Sequence, residues 1–331
     1  MILLGSWGKR VEFKVERMKK IIIDCDAGVD DALALILAFH SPELQVKAVT
    51  AVSGNVPAET VFGNIQKVLS LLQPRQQPLI AKGADRPLKG DPVYAYAVHG
   101  KDGLGGAKIE RREGEKWWQV FPGRADELIP EMARRYPREM TLIATAPLTN
   151  LALGLQKDPQ GMKQLKEVVI MGGAVRTKGN ITSYAEFNIF VDPLAAQMVF
   201  ASGLPITLVP LDVTHQVFLS PRIIERRVRP RYRPFPRFVI EATGYHSAGF
   251  QFRGGSKVFH LHDPLAVGVA IDPNLVRKEK LSITVETQPG EFYGRTSEVA
   301  GEKVSDSQKM EVCLGVNSEK ILELFLSRLG A

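Results

Sequence analysis

The chain has 331 residues, 44% of them hydrophobic, with 43 Lys and Arg against 36 Asp and Glu and a formal net charge of +7. That length allows one large α/β domain or two smaller ones, with a substantial core. No apolar stretch is long enough to span a membrane, and Met1 to Lys20 lacks the apolar centre and small-residue cleavage site of a secretory signal.

Met18-Lys19-Lys20 stands directly before the first apolar run, so residues 1–17 read as an N-terminal extension and 18–331 as the domain. Ile21-Ile22-Ile23 reads as a buried strand. Ala32 to Phe39 lacks Gly and Pro, is rich in Ala and Leu, and reads as a buried helix. Between them lie Asp24, Asp26, Asp30 and Asp31, with Gly28 permitting a sharp turn. Four carboxylates therefore crowd where a strand ends and a helix begins, the place where open α/β sheets bind ligands. One helix dipole is too little for four charges, which predicts a bound cation or protonated carboxyls. Oxygen-only donors favour Ca²⁺ or Mg²⁺. The plainer alternative has Asp30 and Asp31 capping the helix while Asp24 and Asp26 are solvated. Cys25 lies between two acids and reads as a packed thiol. With Cys313 it makes no disulfide framework, which suits a reducing cytoplasm.

Val46 to Val52 reads as a second strand, ending in Ser53-Gly54-Asn55. Ala58 to Leu72 has helical spacing and stops before Pro74. Pro78 to Ala81 is a short strand leading into a polar stretch with Tyr94, Tyr96 and a glycine-rich loop from His99 to Gly106. For His99, ligand contact and a structural role are both open. Residues 108–116 form a charged surface insertion. Helix Ala125–Arg135 precedes strand Met140–Ala144, which ends in Thr145 to Asn150. Strand Glu167–Met171 ends in Gly172-Gly173, followed by a polar loop with Asn180, Glu186 and Asn188. Asp192-Pro193 starts a helix. Ile206 to Leu211 reads as a strand ended by Asp212 to His215.

The charge excess is local: Pro221 to Arg237 holds seven arginines against Glu225. Prolines 230, 234 and 236 prevent one continuous helix there. A solvated loop or oligomer contact is the plain reading, and a phosphate-binding arm the alternative. Phe238 to Tyr245 looks helical. His260-Leu261-His262-Asp263-Pro264 opens a helix from Leu265 to Ile271, with Asp263 as its apparent cap. Leu281 to Glu286 is a late strand and Ser318 to Leu329 a closing helix.

Strand and helix alternate throughout, which predicts a single open, mostly parallel twisted sheet with helices on both faces. Polar residues recur at the strands' carboxyl ends, predicting one cleft lined by acids, amides and histidines. No GxxxxGK[ST] or GxGxxG occurs, so nucleoside triphosphates and dinucleotides are excluded as expected ligands. Acids and amides with a hard cation suit a neutral polyol such as a sugar. A net-negative pocket also stabilises the oxocarbenium-like state of glycosidic cleavage.

The run Asp24-Cys25-Asp26-Ala27-Gly28-Val29-Asp30-Asp31-Ala32 resembles the N-terminal signature of the inosine–uridine-preferring nucleoside N-ribohydrolases. The resemblance continues, in order, through Gly54-Asn55-Val56, the His99 loop, Thr145 to Asn150, Met171 to Ala174, Asn180, Ala185 to Asn188, Asp192-Pro193 and His262-Asp263-Pro264. Ala27 departs from it, since the family usually carries Pro there, and this is expected to loosen the turn slightly. The resemblance implies a Rossmann-like nucleoside hydrolase fold and cleavage of ribonucleosides to ribose and base, with Ca²⁺. It implies that Asp26, Asp31, Asp263 and the Thr145 carbonyl hold Ca²⁺. Asp26 would also act as general base toward the attacking water. Asp30, Asn55, Asn180, Glu186 and Asn188 would hold the ribose, and Asp24 would support the cluster from behind. His262 would activate or protonate the leaving base, with His99 nearby. A homo-oligomer, dimer or tetramer, acting on small nucleosides without nucleic acid or membrane, completes the expectation, with salvage as the natural pathway. Tyr245 to Arg253 is the stretch expected to set base preference.

Three other readings compete. Asp24-x-Asp26 after a strand mimics the nucleophile motif of haloacid-dehalogenase-like phosphatases, but Gly28 stands where that class wants Thr or Val. The arginine segment could serve a nucleic-acid-binding protein. The same fold could also bind nucleosides without turnover.

Overall fold

The computed structural model describes residues 18–109, 114, 116–228, 234–244, 251–253, 256–299 and 309–329. The extension 1–17, part of the insertion 108–116, residues 229–233 of the arginine segment and most of 245–253 lie outside the described residues.

Fourteen strands are described. In chain order the first seven are β1 (Lys19–Cys25), β2 (Leu44–Ala51), β3 (Leu79–Lys82), β4 (Gln119–Val120), β5 (Met140–Ala144), β6 (Glu167–Met171) and β7 (Ile206–Val209). Then come β8 (Phe218–Leu219), β9 (Gln251–Arg253), β10 (Ser256–His260), β11 (Val276–Leu281), β12 (Ile283–Val285), β13 (Thr296–Glu298) and β14 (Met310–Val316). Nine build one sheet in the order β11-β14-β7-β6-β5-β1-β2-β3-β4. Every pairing is parallel except β11 with β14 at one edge. The edges are blunted, by the charges Arg277, Lys278, Glu279 and Lys280 on β11 and by the two-residue length of β4.

Alternation along β1 explains the two-sided core. Ile21 and Ile23 pack with the helices Val29–Phe39, Ala58–Leu72 and His262–Ile271 on one face. Ile22 packs with Ala125–Arg135, Thr149–Lys157 and Pro193–Phe200 on the other. Helix Val29–Phe39 is apolar all round after Asp31, with Val29 to Ala38 all buried, and lies against His262–Ile271. Because β1 sits between β2 and β5, the sheet grows outward in both directions from β1, and a crevice opens at its carboxyl end.

Local boundaries depart from the sequence reading in several places. The strand at 206 ends at Val209, because Pro210 has no N–H to continue the ladder, and Leu211–Thr214 is a helical turn. The late strand at 281–286 is two strands, with Leu281 closing β11 and Ile283 opening β12. The helix placed at 238 begins at Pro234, with Pro234 and Pro236 in the first turn where a missing N–H costs nothing. The helix placed at 265 begins at His262. Ala27 takes φ 40°, a left-handed conformation closed to a proline ring.

In the arginine segment, Arg227 pairs with Glu323 at 2.9 Å and Arg237 with Glu241 at 2.7 Å, both exposed. Those contacts fit a solvated face. Among the described residues, no helix is long and apolar enough to cross a membrane.

Candidate active site

β1 delivers Asp24 and Asp26 to the crevice, the next helix supplies Asp30 and Asp31, and the helix His262–Ile271 supplies Asp263. All five carboxylates are buried. Asp30, Asp31 and Asp263 each turn one oxygen inward, and these atoms lie within 4.8 Å of one another. Asp26 adjoins Asp31, but both of its oxygens are engaged by Asn55, which donates from its backbone N at 2.7 Å and its Nδ2 at 2.8 Å. Asp31 accepts from Gly28 N and from Thr145 Oγ1, each at 2.8 Å. Asp24 shares the strand face of Ile22, so it points toward helix Thr149–Lys157. There it accepts from Asn150 Nδ2 at 2.7 Å, and Thr50 Oγ1 donates to it at 2.6 Å. Both bonds fall on Oδ1, and Asp24 Oδ2 is buried with no hydrogen-bond partner among the described residues. Gly54 makes room for Asp26: a Cβ there would stand 2.0 Å from Asp26 Oδ2.

Burial sets the acidity of this group first, reinforced by mutual repulsion at Asp26, Asp30 and Asp263 and opposed by hydrogen bonds at Asp24 and Asp31. Desolvation pushes Asp24 and Asp30 up to about 7, raises Asp31, and carries Asp26 and Asp263 well above the carboxylate range. Asp30 Oδ1 is buried with no hydrogen-bond partner among the described residues. An orphaned carboxylate oxygen beside two others, in a set of oxygen donors alone, fits a hard divalent cation. Asp30, Asp31 and Asp263 could hold one.

The helix-cap alternatives separate here. Asp31 does accept from the Gly28 N–H, so it caps its helix while its other oxygen faces Thr145. Asp263 makes no cap bond: Leu261 is the cap residue, and no side chain caps that helix.

A cavity of about 310 Å³ opens above the carboxylates. Asp30, Asn55, His99, Thr145, Asn180, Glu186, Asn188, His262 and Asp263 line it, whereas Asp24, Asp26 and Asp31 do not. Asn188 Nδ2 donates to the Thr145 carbonyl at 3.2 Å and to Met171 O at 3.3 Å. Glu186 caps the turn Phe187–Val191 through Asn188 N and Ile189 N and also accepts from Gly173 N at 3.0 Å. Asn180, exposed at the rim, accepts from Phe187 N at 2.9 Å. His99 Nδ1 accepts from Val29 N at 3.1 Å and stands 3.9 Å from Asp30 Oδ1. Burial lowers its pKa to about 4, so it is neutral. His262 Nδ1 lies 2.7 Å from Thr214 Oγ1. Burial, then His260 and His215, depresses its pKa well below the ordinary value.

Sequence reasoning did not single out Thr50, Asn150, Tyr94, Phe259 or His260 as parts of this site. For His260 a signal existed: residues two apart at a strand's end tend to face one way, so His-x-His presents two rings together. The rings of His260 and His262 lie 5.4 Å apart. Of the stretch expected to set base preference, only the backbone of β9 falls within the described residues.

Comparison with known proteins gives the family. The chain is 37% identical over 311 residues to pyrimidine-specific ribonucleoside hydrolase RihA of Klebsiella pneumoniae, covering 94% of this chain and 98% of that one. It is 37% identical over 269 residues to the inosine-uridine preferring nucleoside hydrolase of Crithidia fasciculata, covering 81% and 84%. The solved purine-preferring ribonucleoside hydrolase from Gardnerella vaginalis superposes with a TM-score of 0.85 at 31% identity, covering 94% and 98%. Residues 21–323 match the family described as inosine-uridine preferring nucleoside hydrolase, and the chain belongs to that family.

Proposed function

We propose that this chain hydrolyses the N-glycosidic bond of ribonucleosides to ribose and free base. The observation that carries the reading is the meeting of Asp30, Asp31 and Asp263 oxygens within 4.8 Å, with Asp30 and Asp263 lining an amide-lined cavity. Asp26, Asp31, Asp263 and the Thr145 carbonyl would hold Ca²⁺, with Asp30 beside them. When bound, that ion supplies positive charge that grips a sugar diol and makes water a stronger acid.

The chain's own groups do the rest. Asp30, Asn55, Asn180, Glu186 and Asn188 hold the ribose hydroxyls. Asp26, fixed by Asn55, takes a proton from water as its oxygen bonds to C1′. The C1′–N bond breaks, its electron pair leaves with the base, and His262 and His99 face that base. In the overall balance the proton held by Asp26 passes to the departed base. The surrounding carboxylates stabilise the cationic sugar in the transition state more than in the ground state. Among the described residues, no Lys or Arg lines the cavity, which suits a neutral nucleoside over a phosphomonoester. The reading takes the enzyme as a homo-oligomer in a reducing cytoplasm, supplying bases for salvage.

The test is a panel of inosine, guanosine, adenosine, uridine and cytidine. Base and reducing sugar are expected in equal amounts from at least one of them. Tight binding without either product would leave a nucleoside-binding protein instead, and release of inorganic phosphate from phosphomonoesters alone would favour the phosphatase reading.

A further inference from the structure

We propose that Thr214 is a positioning residue that fixes His262 in the tautomer carrying its proton on Nε2, aimed at the leaving base. The inference rests on the reading that His262 faces that base. Thr214 is completely buried and does not line the cavity, whereas His262 does. Its backbone is pinned on both sides, donating to Pro210 O at 3.2 Å and accepting from Val217 N at 3.1 Å. Its hydroxyl reaches His262 Nδ1 at 2.7 Å.

The direction of that bond follows from hydrogen-bond bookkeeping. Among the described residues the hydroxyl has one hydrogen-bond partner, the His262 ring. Were Nδ1 to carry the proton, the hydroxyl would accept it and its own hydrogen would be buried without an acceptor, which is costly. With O–H donating to Nδ1, both groups are satisfied, and the neutral ring must hold its proton on Nε2. Nδ1 faces Thr214, so Nε2 is the ring nitrogen available to the cavity. A donor so placed strengthens its hydrogen bond as negative charge develops on the base, so it acts chiefly in the transition state.

The experiment compares Thr214→Val, Thr214→Ser and His262→Ala on two substrates: the preferred nucleoside and 4-nitrophenyl β-D-ribofuranoside, whose phenolate leaves without a hydrogen-bond donor. Thr214→Val is expected to lower kcat on the nucleoside about 10- to 100-fold, with KM little changed. It should leave kcat on the nitrophenyl riboside within about threefold, and Thr214→Ser should restore the nucleoside rate. If the valine variant fails to fold, Thr214→Ala removes the same hydroxyl without adding a branch. An equal loss on both substrates, or no rescue by serine, would make Thr214 merely structural and overturn the inference. A silent Thr214→Val beside a His262→Ala that selectively loses the nucleoside would overturn it and leave the His262 reading standing. A His262→Ala that spares the nucleoside would overturn the His262 reading itself, and the inference with it.

Discussion

Asp26→Ala is expected to lower kcat on the preferred nucleoside about 10²- to 10⁴-fold, the range of a lost general base. Asp26 is completely buried at the end of β1, and its two oxygens are oriented by one residue, Asn55. Removing the carboxylate takes away the acceptor for the water proton and leaves two Asn55 donors facing a gap. Asp26→Asn should be nearly as damaging for a different reason. An amide cannot take the proton, and its NH₂ would oppose one Asn55 donor. Steady-state kinetics on variants with wild-type melting profiles would check this. A kcat within tenfold of wild type for Asp26→Ala would remove Asp26 from the mechanism.

Removing the divalent cation is expected to destabilise the protein and to make its stability depend on pH in a defined direction. Burial raises Asp24 and Asp30 to about 7, against 3.8 for the ordinary carboxyl. For an acid raised on folding, the unfolded chain ionises first. The stability these two carboxyls contribute to the metal-free protein is therefore fully present below about pH 4 and is lost as pH rises through about 7. A cation held by the ionised carboxylates opposes that loss. Calcium at about 100 times its Kd should add about 2.7 kcal/mol. Thermal melts in chelator and in Ca²⁺, at pH 5.5 and pH 8, would show this as a larger Ca²⁺-dependent rise in Tm at pH 8. Identical melts with and without Ca²⁺ at both values would contradict it.

The strand-turn-helix at 19–39 was legible because every local signal agrees: a β-branched run, a turn glycine and an apolar helix, with four acids between them. The parallel sheet followed from the alternation of elements. What local rules could not supply were partners distant in sequence. Asp24 is held by Thr50 and Asn150, which reach it only because β2 and the helix after β5 flank β1. Asp263 reads locally as a helix cap, and only the packing of His262–Ile271 against Val29–Phe39 turns it toward Asp30 and Asp31. Thr214 lay inside what read as a polar strand end. Its contact with His262 joins two helix ends 48 residues apart in sequence and carries no periodic signature. The left-handed Ala27 was equally hidden, since alanine ordinarily signals nothing of the kind.

Titration of Ca²⁺ into chelated protein, with base release from its preferred nucleoside followed at each step, addresses the central claim head on. Activity should start near zero and rise in proportion to bound ion, saturating at one per chain. Full turnover by protein shown to be free of divalent metal would contradict the account.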